Sequence, residues 1–282
     1  MTQANNVATQ CNKITALGVL KAAGGGTNAT SPGTSGNVLT STGTDWASLP
    51  ISGFLKSTRY FTTPGIFTYT PNSGVSFIIV TCIGGGGGGG SSGVVPGTRT
   101  TGLDGTPSYF GSFMTANGGY GNVAGGDSYY FYSNAGLGGS TSGGDLNITG
   151  GDGETGVYYK WSSAGTQYMR GGQGGSSAFG GAARGVTGTR IGLSAKDNTG
   201  GGGGGSVYDL AYSIATGGGG GGSGGYCVKK ITSGFSSVSY QVGSGGAGGL
   251  ANFSPPATTP PTPQAWAGGN GGSGIVIVQE FS

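Results

Sequence analysis

Seven consecutive glycines, Gly84 to Gly90, form the longest pure run in a chain that carries 71 glycines in 282 residues. Glycine loses more backbone freedom on ordering than any other residue and brings no side chain to a core. Such runs fold only where many backbone groups find partners at close range. Glycine and serine at this level, without a strict triplet period, are also the composition of disordered chains. The remaining residues argue the other way: 7% are charged, and there are 14 Tyr, 11 Phe and 3 Trp. Disordered chains are rich in charge and poor in aromatics, so this balance points to a packed object.

The formal net charge of +3 forms no basic stripe. The adjacent pair Lys229 and Lys230 lies in an expected strand, where one of the two faces water. Nucleic acid is therefore not expected as a partner. Cys11, Cys82 and Cys227 are odd in number and lack CxxC spacing, which indicates neither a disulfide framework nor a zinc site. Cys82 and Cys227 read as small core residues of strands. With no histidine in the chain, a Ser-His-Asp triad and a His metal cluster are both ruled out. Asp152 and Glu154 flank Gly153 and would serve a glycosidase only at a set carboxylate separation; a solvated turn is the plainer reading. The expectation is a protein without enzymatic activity, cofactor or metal. The start, MTQANNVATQ, has no basic n-region or apolar h-region, and no stretch of 18 apolar residues occurs, so neither a secretory route nor membrane insertion is expected.

Residues 1–58 are polar and Thr/Ser/Gly-rich, with only short strand-like pieces such as Asn37 to Leu39, and read as an attachment segment. Residues 59–282 form a glycine-rich domain with strand patterns at both ends. RYFTT, the turn pair Pro64-Gly65 and IFTYT have the strand-turn-strand form of a hairpin. VSFIIVTCI (Val75 to Ile83) is apolar on both faces, as a buried strand is. YCVKKIT, SVSYQV and GIVIVQEF supply further strands. No amphipathic helical period appears, and glycine costs about 1 kcal/mol per residue against alanine inside a helix. The fold class expected is all-β with negligible helix.

Nine glycine-dense runs, at 84–93, 117–126, 136–144, 150–153, 171–181, 200–205, 217–225, 243–249 and 268–274, alternate with glycine-poorer inserts. In the polyproline II conformation a residue rises about 3.1 Å, and N–H and C=O groups point outward in three directions. Parallel rods of this kind donate to and accept from one another, and only glycine permits the approach. An antiparallel β-sheet joined to a bundle of polyglycine II helices with surface loops is the architecture this predicts.

The ordered pieces FTTPGIFTYTPNSGVSFIIVTCIGGGGGGG (Phe61–Gly90), GGGGGGSGGYCVKKIT (Gly217–Thr232), YQVGSGGAGG (Tyr240–Gly249) and GGNGGSGIVIVQEF (Gly268–Phe281) resemble the glycine-rich domain of bacteriophage tail fibres and fibre-tip adhesins. The lead KAAGGGTNATSPGTSGNVLTSTGTDWASLP (Lys21–Pro50) is similar to short units of trimeric phage fibres. The resemblance implies a virion protein of the distal tail that attaches the phage to a receptor on the host surface, either an outer-surface glycan or an outer-membrane protein. It further implies a homotrimer, or attachment to a trimeric fibre, with residues 1–58 joined to other tail proteins. A passive structural fibre protein without receptor contact is the alternative. The long middle inserts depart from the family pattern, so no receptor chemistry carries over.

If nine rods alternate in direction, inserts 94–116, 145–149 and 182–199 fall at one end, and 127–135, 154–170 and 206–216 at the other. The second group carries Tyr129, Tyr130, Phe131, Tyr132, Tyr158, Tyr159, Trp161, Tyr168, Tyr208 and Tyr212, the expected receptor-binding residues. Tyr and Trp give large contact area at low side-chain entropy and keep a polar handle. The first group holds Tyr109, Phe110, Phe113, Arg99 and Arg190, and one miscounted rod exchanges the two ends. The proline-rich insert Ser254 to Trp266 reads as a surface loop or stiff extended arm.

Overall fold

The computed structural model describes residues 37–44, 46–50, 52–92, 100–122, 133–161, 166–188, 190–207, 217–250 and 266–282. The chain divides into two compact units, Met1–Lys56 with Phe281–Ser282, and Ser57–Glu280. In the first, β1 (Asn37–Ser41) and β2 (Trp46–Pro50) pair antiparallel, with Asn37 opposite Pro50 and Ser41 opposite Trp46. The Asn37 amide donates to the Ser48 carbonyl at 3.2 Å and to its hydroxyl at 3.1 Å, which fastens the open end of the ribbon.

The other strands are β3 (Leu55–Phe61), β4 (Gly65–Tyr69), β5 (Phe77–Ile83), β6 (Ser108–Phe110), β7 (Met114–Ala116), β8 (Thr141–Ser142), β9 (Leu146–Ile148), β10 (Val157–Trp161), β11 (Thr166–Arg170), β12 (Tyr226–Ile231), β13 (Val238–Val242) and β14 (Ile275–Phe281). No α-helix occurs among the described residues. Two five-stranded sheets, β3-β14-β5-β12-β9 and β4-β13-β6-β7-β8, share one core, and β10 and β11 form a separate ribbon. Period-2 alternation builds the core: Ile78, Val80 and Cys82 of β5, with Val276 and Val278 of β14, meet Tyr69, Phe110, Met114, Val238, Tyr240 and Val242 of the facing sheet. Each fully buried aliphatic side chain of this kind contributes about 1.5–3 kcal/mol.

The hairpin expected around Pro64-Gly65 is not formed. β3 and β4 lie in different sheets, so the chain crosses the core between them instead of pairing with itself. Gly65, with φ of 137°, sits at this crossing. As a result Phe61 and Tyr69 meet edge to face across the interior, 6.4 Å between ring centroids.

Cys82 and Cys227 stand opposite each other on β5 and β12, both buried and not joined by a disulfide. Burial pushes the Cys82 thiol well above its usual range. Because both side chains are fully shielded from solvent, a thiol reagent applied to the folded protein is expected to leave both residues unlabelled for hours, and to modify both once urea unfolds the chain. Peptide mapping reads the two sites separately, and rapid labelling at neutral pH in the native state would contradict the packing.

Glycine-rich threads continue from the strands. All eight N–H groups of residues 84–91 donate to neighbouring threads at 2.8–3.2 Å, and they do so with a three-residue period. Residues 84, 87 and 90 donate to 225, 222 and 219; residues 85, 88 and 91 to 106, 103 and 100; residues 86 and 89 to 272 and 269. The carbonyls follow the same rule, 85 and 88 accepting from 119 and 122, 86 and 89 from 246 and 249, 87 and 90 from 203 and 206. This one thread therefore has six hydrogen-bonded neighbours, whereas a β-strand has two at most.

Among the described residues twelve such threads can be traced: 84–92, 100–107, 117–122, 133–140, 149–156, 171–176, 181–188, 190–197, 200–207, 217–225, 243–250 and 266–274. Threads 84–92, 200–207 and 217–225 are mutual neighbours, each with six partners, and all their residues are buried. The other nine close a ring around them. The chain enters at the centre, passes around seven ring positions in sequence order, returns for the two remaining central threads, and completes the ring with 243–250 and 266–274.

Position explains composition. A Cβ added at Gly86 would lie 1.9 Å from the Gly201 carbonyl oxygen, at Gly87 2.1 Å from that of Tyr120, and at Gly88 2.0 Å from that of Ala247. Three successive residues thus face three different threads, and none of these three positions has room for a side chain. Ring threads keep a free outer face and carry side chains there at intervals, as Gln173 and Ser176 do in GGQGGS (171–176) and Asn270 in GGNGGSG (268–274).

Candidate functional site

Thread direction fixes which segments emerge together. Each thread runs opposite to the one before it in sequence, as the falling partner numbers of 85, 88 and 91 (106, 103 and 100) illustrate for the first two threads. At one end the chain passes through β5, β6–β7, β8–β9, β12–β13 and β14, and through the turns around 177–180 and 197–200. At the opposite end it leaves the described threads at Ser92 and resumes at Thr100, and likewise at Asn122 and Ser133, Val207 and Gly217, and Leu250 and Trp266. The β10–β11 ribbon and the link from Gly188 to Arg190 belong to this second end.

Buried polar side chains bind these exits to one another. Ser92 N–H donates to the Ser206 hydroxyl at 2.7 Å, and that hydroxyl donates to the Trp266 carbonyl at 2.7 Å. The Asn122 amide donates to the Ser133 hydroxyl at 2.7 Å and the Asn134 carbonyl at 3.1 Å. Ser92, Asn122, Ser133 and Ser206 are all buried, so each satisfied hydroxyl or amide fixes its thread at or beside the last residue described there. Backbone bridges Arg190–Val207, Val207–Gly217 and Ser133–Gly156 finish the rim.

The β10–β11 ribbon rises from this rim in antiparallel register, Val157 opposite Arg170, Tyr159 opposite Tyr168, and Trp161 opposite Thr166. Arg170 and Glu154 pair at 3.0 Å at its base; both are largely exposed, which makes the pair a weak contributor to stability. Of the expected receptor-binding residues, Tyr158, Tyr159 and Trp161 occupy β10 and Tyr168 occupies β11. Tyr129, Tyr130, Phe131, Tyr132, Tyr208 and Tyr212 lie outside the described residues, as do Arg99 and most of the proline-rich insert.

The other expected grouping needs correction. Tyr109, Phe110 and Phe113 sit at the sheet end, where Phe110 is buried in the core and Phe113 packs against it. The count of nine rods omitted threads 100–107, 181–188 and 190–197, which carry glycine sparsely because each has a wide outer face. Gly102 and Gly105 are the signal that was available: they alone in thread 100–107 face carbonyl oxygens of Gly88 and Gly85, at 2.0 and 2.2 Å from an added Cβ. Asp152 and Glu154 are both engaged structurally, Asp152 accepting the Gly138 N–H at 2.8 Å and Glu154 pairing with Arg170.

Compared with known proteins, the chain matches no family model and no curated sequence.

Proposed function

We propose that the threads are polyglycine II helices packed as a rigid pillar, and that the protein is a phage tail-fibre or tail-tip adhesin displaying its loops from the far end of that pillar. The three-residue donor period and six-neighbour packing of residues 84–91 support the first part, because a three-fold helix presents its amides in three directions. The observation that carries the second part is the gathering of exits at one end, remote from the sandwich, with the β10–β11 ribbon among them.

Host attachment asks for aromatic and amide-bearing loops held on a stiff base, so that little loop entropy is lost on binding. A pillar whose amides are mutually satisfied supplies that base. The receptor is a host outer-surface glycan or an outer-membrane protein; residues 1–58 join other tail proteins, and the working assembly is a homotrimeric virion fibre. A second reading, lateral packing in a fibre without receptor contact, is favoured by one observation: Leu103, Tyr120, Leu137 and Leu250 project, all exposed, from four consecutive ring threads.

Competition separates the two. Purified protein added to host cells is expected to block phage adsorption, and Tyr159→Ala with Trp161→Ala to weaken that block by about tenfold or more, roughly 1.4 kcal/mol of binding. Pre-incubation with extracted lipopolysaccharide tells glycan from protein receptors. A loop variant that competes as well as the parent, alongside a Leu103→Ala/Leu137→Ala variant that loses fibre assembly, would favour the structural reading.

A further inference from the structure

In the ring threads one or two of the three amide directions point to neighbouring threads, and several of the remaining amides end on side chains. Thread 117–122 donates from 117 and 120 to 140 and 137, and from 119 and 122 to 85 and 88; the remaining direction is that of Gly121, whose N–H goes to the Asp104 carboxylate at 2.7 Å. Thread 133–140 donates from 136 and 139 to 220 and 223, and Gly138 goes to the Asp152 carboxylate at 2.8 Å. Thread 243–250 donates from 246 and 249 to 86 and 89, and Gly248 goes to the Asn270 side-chain oxygen at 2.9 Å. In every case the acceptor belongs to the adjoining ring thread, so the side chain spans the outer groove between two threads.

We infer that Asp104, Asp152 and Asn270 terminate the array sideways: each sets an oxygen where the carbonyl of an additional thread would sit, and so excludes the glycine runs of a second copy of this chain. The inference rests on the polyglycine II reading of the threads and is independent of the receptor. A rigid row of outward amides at three-residue spacing is the thread counterpart of an open sheet edge, a template for any extended backbone that offers carbonyls. Glycine runs of a second copy that is still unfolded fit that template, because they carry no Cβ to hold them off. A short carboxylate or amide side chain answers the outward amide from within the same molecule, and a tethered acceptor outcompetes a dissolved one by its effective concentration.

The test uses the full-length chain and a labelled peptide of sequence GSGGAGGL, which reproduces residues 243–250. Fluorescence anisotropy of the peptide and light scattering across a concentration series are read for the parent, for Asp104→Ala/Asp152→Ala/Asn270→Ala, for Asp152→Ala alone, and for Asp104→Asn/Asp152→Asn. The alanine variants are expected to bind the peptide about tenfold or more tightly than the parent and to associate beyond the parent's own assembly as concentration rises. The asparagine variant keeps its side-chain oxygens and is expected to behave as the parent, which separates capping from net charge. Alanine variants that retain slow amide exchange at 84–91, yet ignore the peptide and do not associate, would overturn the inference; Asp152→Ala alone decides the matter if the triple variant does not fold. Fast exchange at 84–91 in the parent is a different result and removes the polyglycine II reading itself.

Discussion

Gly87→Ala is expected to cost about 3 kcal/mol or more of stability, a large share of the 5–15 kcal/mol that holds a typical domain folded. The added Cβ would lie 2.1 Å from the Tyr120 carbonyl oxygen, 2.4 Å from its carbon and 2.7 Å from the Gly121 nitrogen, all backbone atoms. No rotamer change relieves the overlap. One thread must move by the better part of an ångström, and Gly87 is tied on its other sides as well: its N–H donates to Gly222 at 2.8 Å and its carbonyl accepts from Gly203 at 2.9 Å. Shifting the thread lengthens bonds to three neighbours at once, each worth about 0.5–1.5 kcal/mol net.

Urea denaturation followed by far-UV circular dichroism measures the loss, and Leu137→Ala serves as the control. Leu137 stands on a ring thread with 61% of its surface exposed, so its removal is expected to change stability by no more than about 0.5 kcal/mol. A Gly87→Ala variant as stable as that control would mean the threads do not bear on one another as the hydrogen bonds require.

The contrast between these two positions is also the measure of what the sequence made legible. Runs with no residue but glycine, 84–90, 200–205 and 217–222, lie in the three central threads, where a residue has neighbours on every side. The strand patterns in VSFIIVTCI and GIVIVQEF mark β5 and β14, interior strands of one sheet, where apolar residues on both faces find cover. Threads 100–107, 181–188 and 190–197 escape a search for glycine density because a ring position needs glycine only where it faces inward; the useful signal is spacing of three, and it is weak over eight residues. The crossing at Pro64-Gly65 was hidden for another reason. A turn signal tells where the chain bends, not which sheet receives the next strand, and that choice is made by distant residues of β13 and β14. Aromatic inserts were visible from composition, but their common end depends on the parity of all twelve threads.

Glu280→Ala is expected to be the most damaging change within the sandwich, at about 3–5 kcal/mol, because it removes one partner of a buried charged cluster and strands the others. The Glu280 side chain is fully buried on β14. It accepts from the Tyr69 hydroxyl at 2.7 Å, the Ser57 hydroxyl at 2.7 Å, and the Asn72 side chain and backbone at 2.5 and 3.3 Å. Arg59 approaches to 3.6 Å, its guanidinium lying over the rings of Phe61 and Tyr69. One carboxylate thus ties β3, the end of β4 and the following turn to β14. Burial pushes its pKa up, but the hydrogen bonds from Tyr69, Ser57 and Asn72 outweigh that and hold it below the ordinary value of 4.5. A folded pKa below the unfolded one means the group stabilises the fold above about pH 4.5, and that this contribution disappears as the pH drops through the lower, folded value. Urea midpoints taken from pH 7 down to pH 3 should therefore fall with acid in the parent. Glu280→Gln keeps the shape but cannot titrate, so its curve should start lower at pH 7 and be flatter across the acid limb, converging on the parent as Glu280 itself becomes protonated. Parallel curves for the two proteins would show that the cluster's charge does not stabilise the sandwich, leaving only its packing to join β14 to β3.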